Sequence, residues 1–215
     1  MPVLQNVRER GRQVQCVGAM RQIGLAFRTY QNEHKGMYPE VARSATENWE
    51  TFLADPSLGG VYISGSLLGP DGAGQTKFKT SFLCPTTVKR PDFTAYGEYW
   101  GYSINNSRTD ISYHAGGPPW NDLSYQDADL DELYKQGSEA AVLIDGNQRH
   151  FGGGGWDAFL PGGWWDWTVV PIHRDGINVL FLDGHIAFMK TTTPEDQTRI
   201  NQVMYGGIPA TGNPW

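Results

Sequence analysis

The stretch Thr168–Lys190, TVVPIHRDGINVLFLDGHIAFMK, carries the most regular β pattern in the chain. It reads as three short strands, Thr168–His173, Ile177–Leu182 and Ile186–Lys190. Two turns, Arg174-Asp175-Gly176 and Asp183-Gly184-His185, join them. Asp-Gly between alternating apolar runs is a strong hairpin signal, because glycine takes positive φ without steric cost. A C-terminal β-meander over 168–190 is therefore expected, with the rest of the chain packed against it. A histidine and an aspartate in one short stretch also invite a metal or catalytic reading. Strand geometry opposes it: the length of the second strand puts His173 and Asp183 ~20 Å apart, too far to share a ligand. Asp183 then serves as a turn residue and His173 as a hydrogen-bonding residue at a strand end. A pairing of His173 with Asp175, or of His185 with another loop, stays open.

The N-terminal segment, residues 2 to about 35, reads as one helix. Cys16, Met20, Ile23, Phe27 and Tyr30 are spaced 4, 3, 4 and 3 apart, which places them on one face. Upstream the stripe thins, with Arg8, Arg10 and Arg12 among polar neighbours, so this half is expected to stand free or fray. Isolated helix is marginal in water without packing. Gly36 is the expected stop, with Pro39 shortly beyond.

Between helix and meander the chain is loop-rich, with 27 glycines and 13 prolines in 215 residues. Ser44 and Glu47 have capping-box spacing and predict a short helix over 47–54, burying Trp49, Phe52 and Leu53. Residues 55–80 are turn-rich around the apolar run 61–68. Strands are expected over 96–104 and 140–144, a helix over 127–136, and an Asp-Gly turn at Asp145-Gly146. After the meander, Thr193-Pro194-Glu195-Asp196 starts a helix that runs to about Tyr205. No internal repeat and no sharp linker divides the chain.

Composition removes several function classes. A net charge of −6 opposes nucleic-acid binding, which needs clustered Lys and Arg. No apolar run of about 18 residues is present to span a membrane. The five histidines are scattered without metal-ligand spacing, and no phosphate loop, Rossmann fingerprint or Gly-x-Ser-x-Gly occurs, so no catalytic or metal residue is assigned. Residues 151–167, FGGGGWDAFLPGGWWDW, join four consecutive glycines, 152–155, to Trp156, Trp164, Trp165 and Trp167. These tryptophans could face a carbohydrate or another subunit, or cover the open face of the sheet. Asp157, Asp166 and Asp183 sit in turns that suit Ca2+, although no EF-hand spacing accompanies them.

Cys16 lies on the apolar helix face, and Cys84 closes a short buried segment before Pro85. Two separate buried thiols would satisfy both positions. A disulfide would instead tie the helix to the body, stabilise by roughly 4 kcal/mol, and suit an extracytoplasmic compartment. The disulfide is the expectation.

His173, nine intervening residues and Asp183-Gly184 resemble the prepilin-type processing-associated H-X9-DG C-terminal domain of pseudopilin-like proteins in type II secretion and type IV pilus systems. Other landmarks agree: Cys16, Arg21-Gln22-Ile23-Gly24-Leu25-Ala26, Tyr30 and Pro39 in the helix, Cys84-Pro85 in mid-chain, and Gly176, Asn178-Val179 and Phe181 in the meander. Together they span about residues 2–190. The resemblance implies an α+β, pilin-like fold: a long N-terminal helix, residues 1–35, packed on an antiparallel sheet in a globular domain, 36–215. It also implies a non-enzymatic structural subunit without a cofactor, whose partners are other pilin-like subunits. Such proteins begin with a basic leader and an apolar membrane helix, so the chain would be the soluble part of an inner-membrane-anchored, extracytoplasmic protein. The calcium-binding loop of the major secretion pseudopilin is not carried over, because the Trp-rich insertion stands there instead. Carbohydrate capture by the tryptophans is the alternative function, and a secreted hydrolase with a His and an acid converging in a cleft is the third.

Overall fold

The computed structural model describes residues 2–36, 38–39, 49–63, 66–70, 76–79, 84–86, 102–105, 137–145, 150–151 and 171–205. The expected helix over 127–136 and Trp156, Trp164, Trp165 and Trp167 lie outside the described residues, as do Asp157 and Asp166.

The fold is α+β. Helix α1 (Pro2–Glu33) is followed by α2 (Trp49–Ala54), a 3-10 turn (Pro56–Leu58), β1 (Ser66–Pro70) and β2 (Thr76–Lys79). Then come β3 (Tyr102–Asn105), β4 (Ala141–Asp145), β5 (His150–Phe151), β6 (Gly176–Phe181), β7 (Ile186–Lys190) and α3 (Pro194–Tyr205). β1 and β2 form a separate antiparallel hairpin in a region whose sequence reads only as turn-rich. The main sheet has the order β5-β3-β4-β6-β7, antiparallel except for the β3–β5 edge.

β6 lies between β4 and β7, and every residue in it is buried. Side chains alternate across a strand, so Ile177, Val179 and Phe181 face one way while Asn178 and Leu180 face the other. The first set packs with Ala141, Ile144, Met189 and Ile200 under α3. The second faces α1, whose Cys16, Met20, Ile23 and Phe27 join Trp49, Leu53, Tyr102, Ile104 and Leu143 in the larger core. Two helices thus cover opposite faces of one sheet. Gly24 lets α1 come close to β6: a Cβ there would stand 3.2 Å from a Leu180 methyl. Phe27 packs its ring against Tyr38 and Trp49 at 5.4 and 5.7 Å. Gly36 ends the helix with φ 84, its N–H donating to the Gln31 carbonyl at 2.8 Å.

The meander differs from expectation at its start. β6 and β7 pair in register from Gly176–Lys190 to Leu180–Ile186. Of the first expected strand, Thr168–Val170 lie outside the described residues, Pro171 and Ile172 are in no strand, and His173 joins the sheet through a bridge to Gly176. That bridge is closed by His173 N–H to Gly176 O at 3.0 Å and Gly176 N–H to His173 O at 2.8 Å. The positive φ sits on Arg174 (42°), not on Gly176. Gly176 is needed for crowding instead, since a Cβ there would meet the Met189 carbonyl oxygen at 2.2 Å. Gly184 does take the expected positive φ, 92°.

The first half of α1 does not stand free along its whole length. Glu9 and Gln13 bond to the body, while Leu4, Val7 and Val14 remain 55, 62 and 70% exposed. The spacing explains it: the 4-and-3 face that holds Cys16 continues upstream through Gln13 and Glu9. No described helix is long and apolar enough to cross a membrane.

A buried histidine–carboxylate cluster as candidate functional site

Cys16 and Cys84 form a disulfide, with Cα atoms 5.3 Å apart. Both residues are fully buried. The bond joins the middle of α1 to the short segment 84–86. Tyr102, behind it, donates its hydroxyl to the Cys16 carbonyl at 3.3 Å. Burial, and then the Asp145 charge, push that phenol's pKa up.

His173 lies beside this bond at 1% exposure. It is a hydrogen-bonding residue, as expected, through its backbone bridge to Gly176, and its ring is buried as well. Nε2 is 3.1 Å from Asp145 Oδ2 and 3.6 Å from Cys84 Sγ. Nδ1 is 2.8 Å from Glu9 Oε1 and 3.4 Å from the Thr86 hydroxyl. Thr86 donates that hydroxyl to Glu9 Oε1 at 3.1 Å, and Arg12 reaches the other Glu9 oxygen at 3.1 Å. One imidazole therefore spans a carboxylate from α1 and a carboxylate from the end of β4. Burial opposes the charged ring, but the hydrogen bonds and charges of Asp145 and then Glu9 outweigh it and raise the His173 pKa.

Asp145 is wholly buried. Burial raises its pKa, and donors from His173 and Asn178 offset part of that cost. Asn178 donates its backbone N–H to Oδ1 at 2.8 Å and its side-chain amide to Oδ2 at 2.6 Å. Asn178 in turn accepts from Gln13 Nε2 at 3.4 Å. The asparagine of the G-x-N-V-x-F run thus fixes the acid that holds the histidine. A buried carboxylate with three such donors is an ion-pair partner held in one orientation.

Asp183 belongs elsewhere. It accepts from the His185 N–H at 3.0 Å and meets the His185 ring Nδ1 at 2.6 Å, all within one exposed turn. Desolvation there is outweighed by the bonds from His185 and the charge of Arg28, so its pKa is lowered. His173 and Asp183 thus have separate partners, as the strand geometry requires. The open pairings resolve differently: His173 takes Asp145 and Glu9, and His185 takes Asp183 within its own turn. Gly176, Asn178 and Gly184 of the motif serve crowding, Asp145 and the turn respectively.

Sequence reasoning does not single out Glu9 or Asp145. Glu9 is hidden among arginines, yet it sits seven residues before Cys16 on the same helix face. Asp145 reads as a turn residue before Gly146, yet it is the last residue of a strand whose five positions are all buried. The sulfurs of Cys16 and Cys84 and a His173 nitrogen also lie within 4.8 Å of one another. No metal spacing announces this, because the three come from distant segments. The acid–histidine–acid arrangement has the parts of a proton relay, but its histidine and Asp145 are closed to solvent. What it does in the fold is join α1, the 84–86 segment, β4 and β6. Compared with protein-family models, curated proteins and solved structures, the chain matches none.

Proposed function

We propose that the protein is a non-enzymatic, pseudopilin-like structural subunit of a type II secretion or type IV pilus-like assembly, with a pilin-like fold. One observation carries this reading. A 32-residue helix is joined to an antiparallel sheet from Cys16 onward by burial and a disulfide, with Glu9 and Gln13 bonded to the body ahead of it, while Leu4, Val7 and Val14 face solvent. A helix built this way has one end committed to its own domain and the other available to neighbours. The disulfide supports an oxidising, extracytoplasmic location. Partners would be other pilin-like subunits, and the inner membrane would hold the protein through an apolar segment preceding Pro2. The buried cluster then serves as the joint between helix and body.

The test is fractionation of the product of the natural gene in its own cells. The proposal expects it in the inner membrane and in sheared filaments or cross-linked ladders containing pilin-like subunits. A gene product without an apolar segment of about 20 residues before Pro2 would end the proposal.

A further inference from the structure

We propose that, once the Cys16–Cys84 bond is reduced, Cys16, Cys84 and His173 form a buried site for Zn2+. The three ligand atoms already lie within 4.8 Å of one another, from three segments held by the fold. Zn–S and Zn–N distances at a tetrahedral centre require an S···N edge of ~3.5 Å. Cys84 Sγ and His173 Nε2 are 3.6 Å apart. The sulfurs must part to an S···S edge of ~3.8 Å, close to the separation two unbonded sulfurs take in any case. Asp145 is the candidate for the fourth ligand: its Oδ2 is 3.1 Å from Nε2, against an ideal N···O edge of ~3.3 Å.

The second observation is the far side of the ring. Nδ1 is bonded to the Glu9 carboxylate at 2.8 Å, which leaves Nε2 facing Cys84 Sγ at 3.6 Å and Asp145 Oδ2 at 3.1 Å. A carboxylate behind the ring fixes the tautomer and raises ligand basicity at metal-binding histidines. Two thiolates with an imidazole and a carboxylate, closed to solvent, suit four-coordinate Zn2+.

The chemistry balances with a dithiol reductant. One of its thiolates attacks a cystine sulfur, the Cys16–Cys84 bond breaks, and the reductant leaves as its own disulfide with two electrons transferred. Two thiols remain on the protein. Zn2+ then replaces both thiol protons and the Nε2 proton, all three passing to solvent, while Nδ1–H stays on Glu9. The same residues therefore hold either a covalent bond or a metal ion, never both.

The test uses the whole protein, reduced by a phosphine without oxygen and titrated with Co2+, then Zn2+. The expected result is one equivalent of Co2+ with a thiolate-to-cobalt charge-transfer band and tetrahedral d–d bands, both erased by Zn2+. The oxidised protein should show neither. Glu9→Gln, which removes no ligand, should weaken Zn2+ binding about 10- to 100-fold. Where reduction loosens the fold, Zn2+ should restore its circular dichroism. The proposal is overturned if reduced protein gives no thiolate band, if Cys16→Ala/Cys84→Ala gives the same spectrum, or if Zn2+ fails to restore a fold lost on reduction. None of these outcomes bears on the filament role, which fractionation tests separately.

Discussion

Removing the disulfide by Cys16→Ala/Cys84→Ala should cost about 4 kcal/mol. The bond closes a loop with a sequence separation of 68 residues. In the chain-entropy model such a loop lowers the entropy of the unfolded chain by ~15 cal/mol/K, which is ~4.4 kcal/mol at 25 °C. Small domains are stable by only about 5–15 kcal/mol, so this is a large fraction of the whole. Alanine is the right replacement because both sites are fully buried, and serine would add a hydroxyl needing a partner. Urea unfolding of oxidised wild type and the double variant, followed by circular dichroism, reads the difference. The m-value should rise in the variant, because an unfolded chain freed of its cross-link exposes more surface. A loss under about 1 kcal/mol with an unchanged m-value would refute the reasoning, since the bond would then be constraining segments already held together in the unfolded state.

Asp145→Asn should lose about 3–5 kcal/mol, because it leaves a buried imidazolium with only the partly exposed Glu9 as counter-charge; in a double-mutant cycle with His173→Gln by urea unfolding, fully additive losses would show the pair to be uncoupled. Folding raises the His173 pKa above the ordinary 6.5, so its contribution is complete below that value and is lost as pH rises through the folded-state value. Burial raises Asp145 in the same sense, so the stability of the oxidised protein should fall from mildly acid to alkaline pH, with a flatter profile in His173→Gln; equal slopes would disprove the assignment. Gly176→Ala should lower the melting temperature sharply, because its Cβ would meet a backbone oxygen at 2.2 Å. Gly24→Ala should be near neutral, since the Leu180 methyl at 3.2 Å can move and alanine favours the helix by about 1 kcal/mol; calorimetry of both variants decides, and similar melting points would contradict the contrast.

Local pattern makes much of the architecture legible. The apolar face from Cys16 to Tyr30, the β6–β7 hairpin at Asp183-Gly184, and the Thr193-Pro194 helix start all rest on contacts within a few residues. The disulfide is legible because Cys16 sits on that face and Cys84 is the one other cysteine in the sequence. The histidine site is not, because its parts come from residues 9, 84–86, 145 and 173, and no spacing links them. A turn reading of Asp145 follows the Asp-Gly rule, yet pairing beside Val179 carries the carboxylate into the core. Strand length separates His173 from Asp183 but says nothing of where the ring points. The turn that follows His173, with Arg174 in a left-handed conformation, is likewise not predicted by side-chain alternation.

The placement of the disulfide has a mechanical consequence. A pull on the start of α1 can unravel helix only as far as Cys16, about halfway along its 32 residues. There the load leaves the helix and passes through a covalent bond to Cys84, bypassing everything between. Some ~240 Å of extended chain is thus withheld from any stretching of the N-terminus while the bond is intact. Tension applied at the front of the helix is delivered to the body at Cys84, beside His173, and reduction would turn a short tether into a long one.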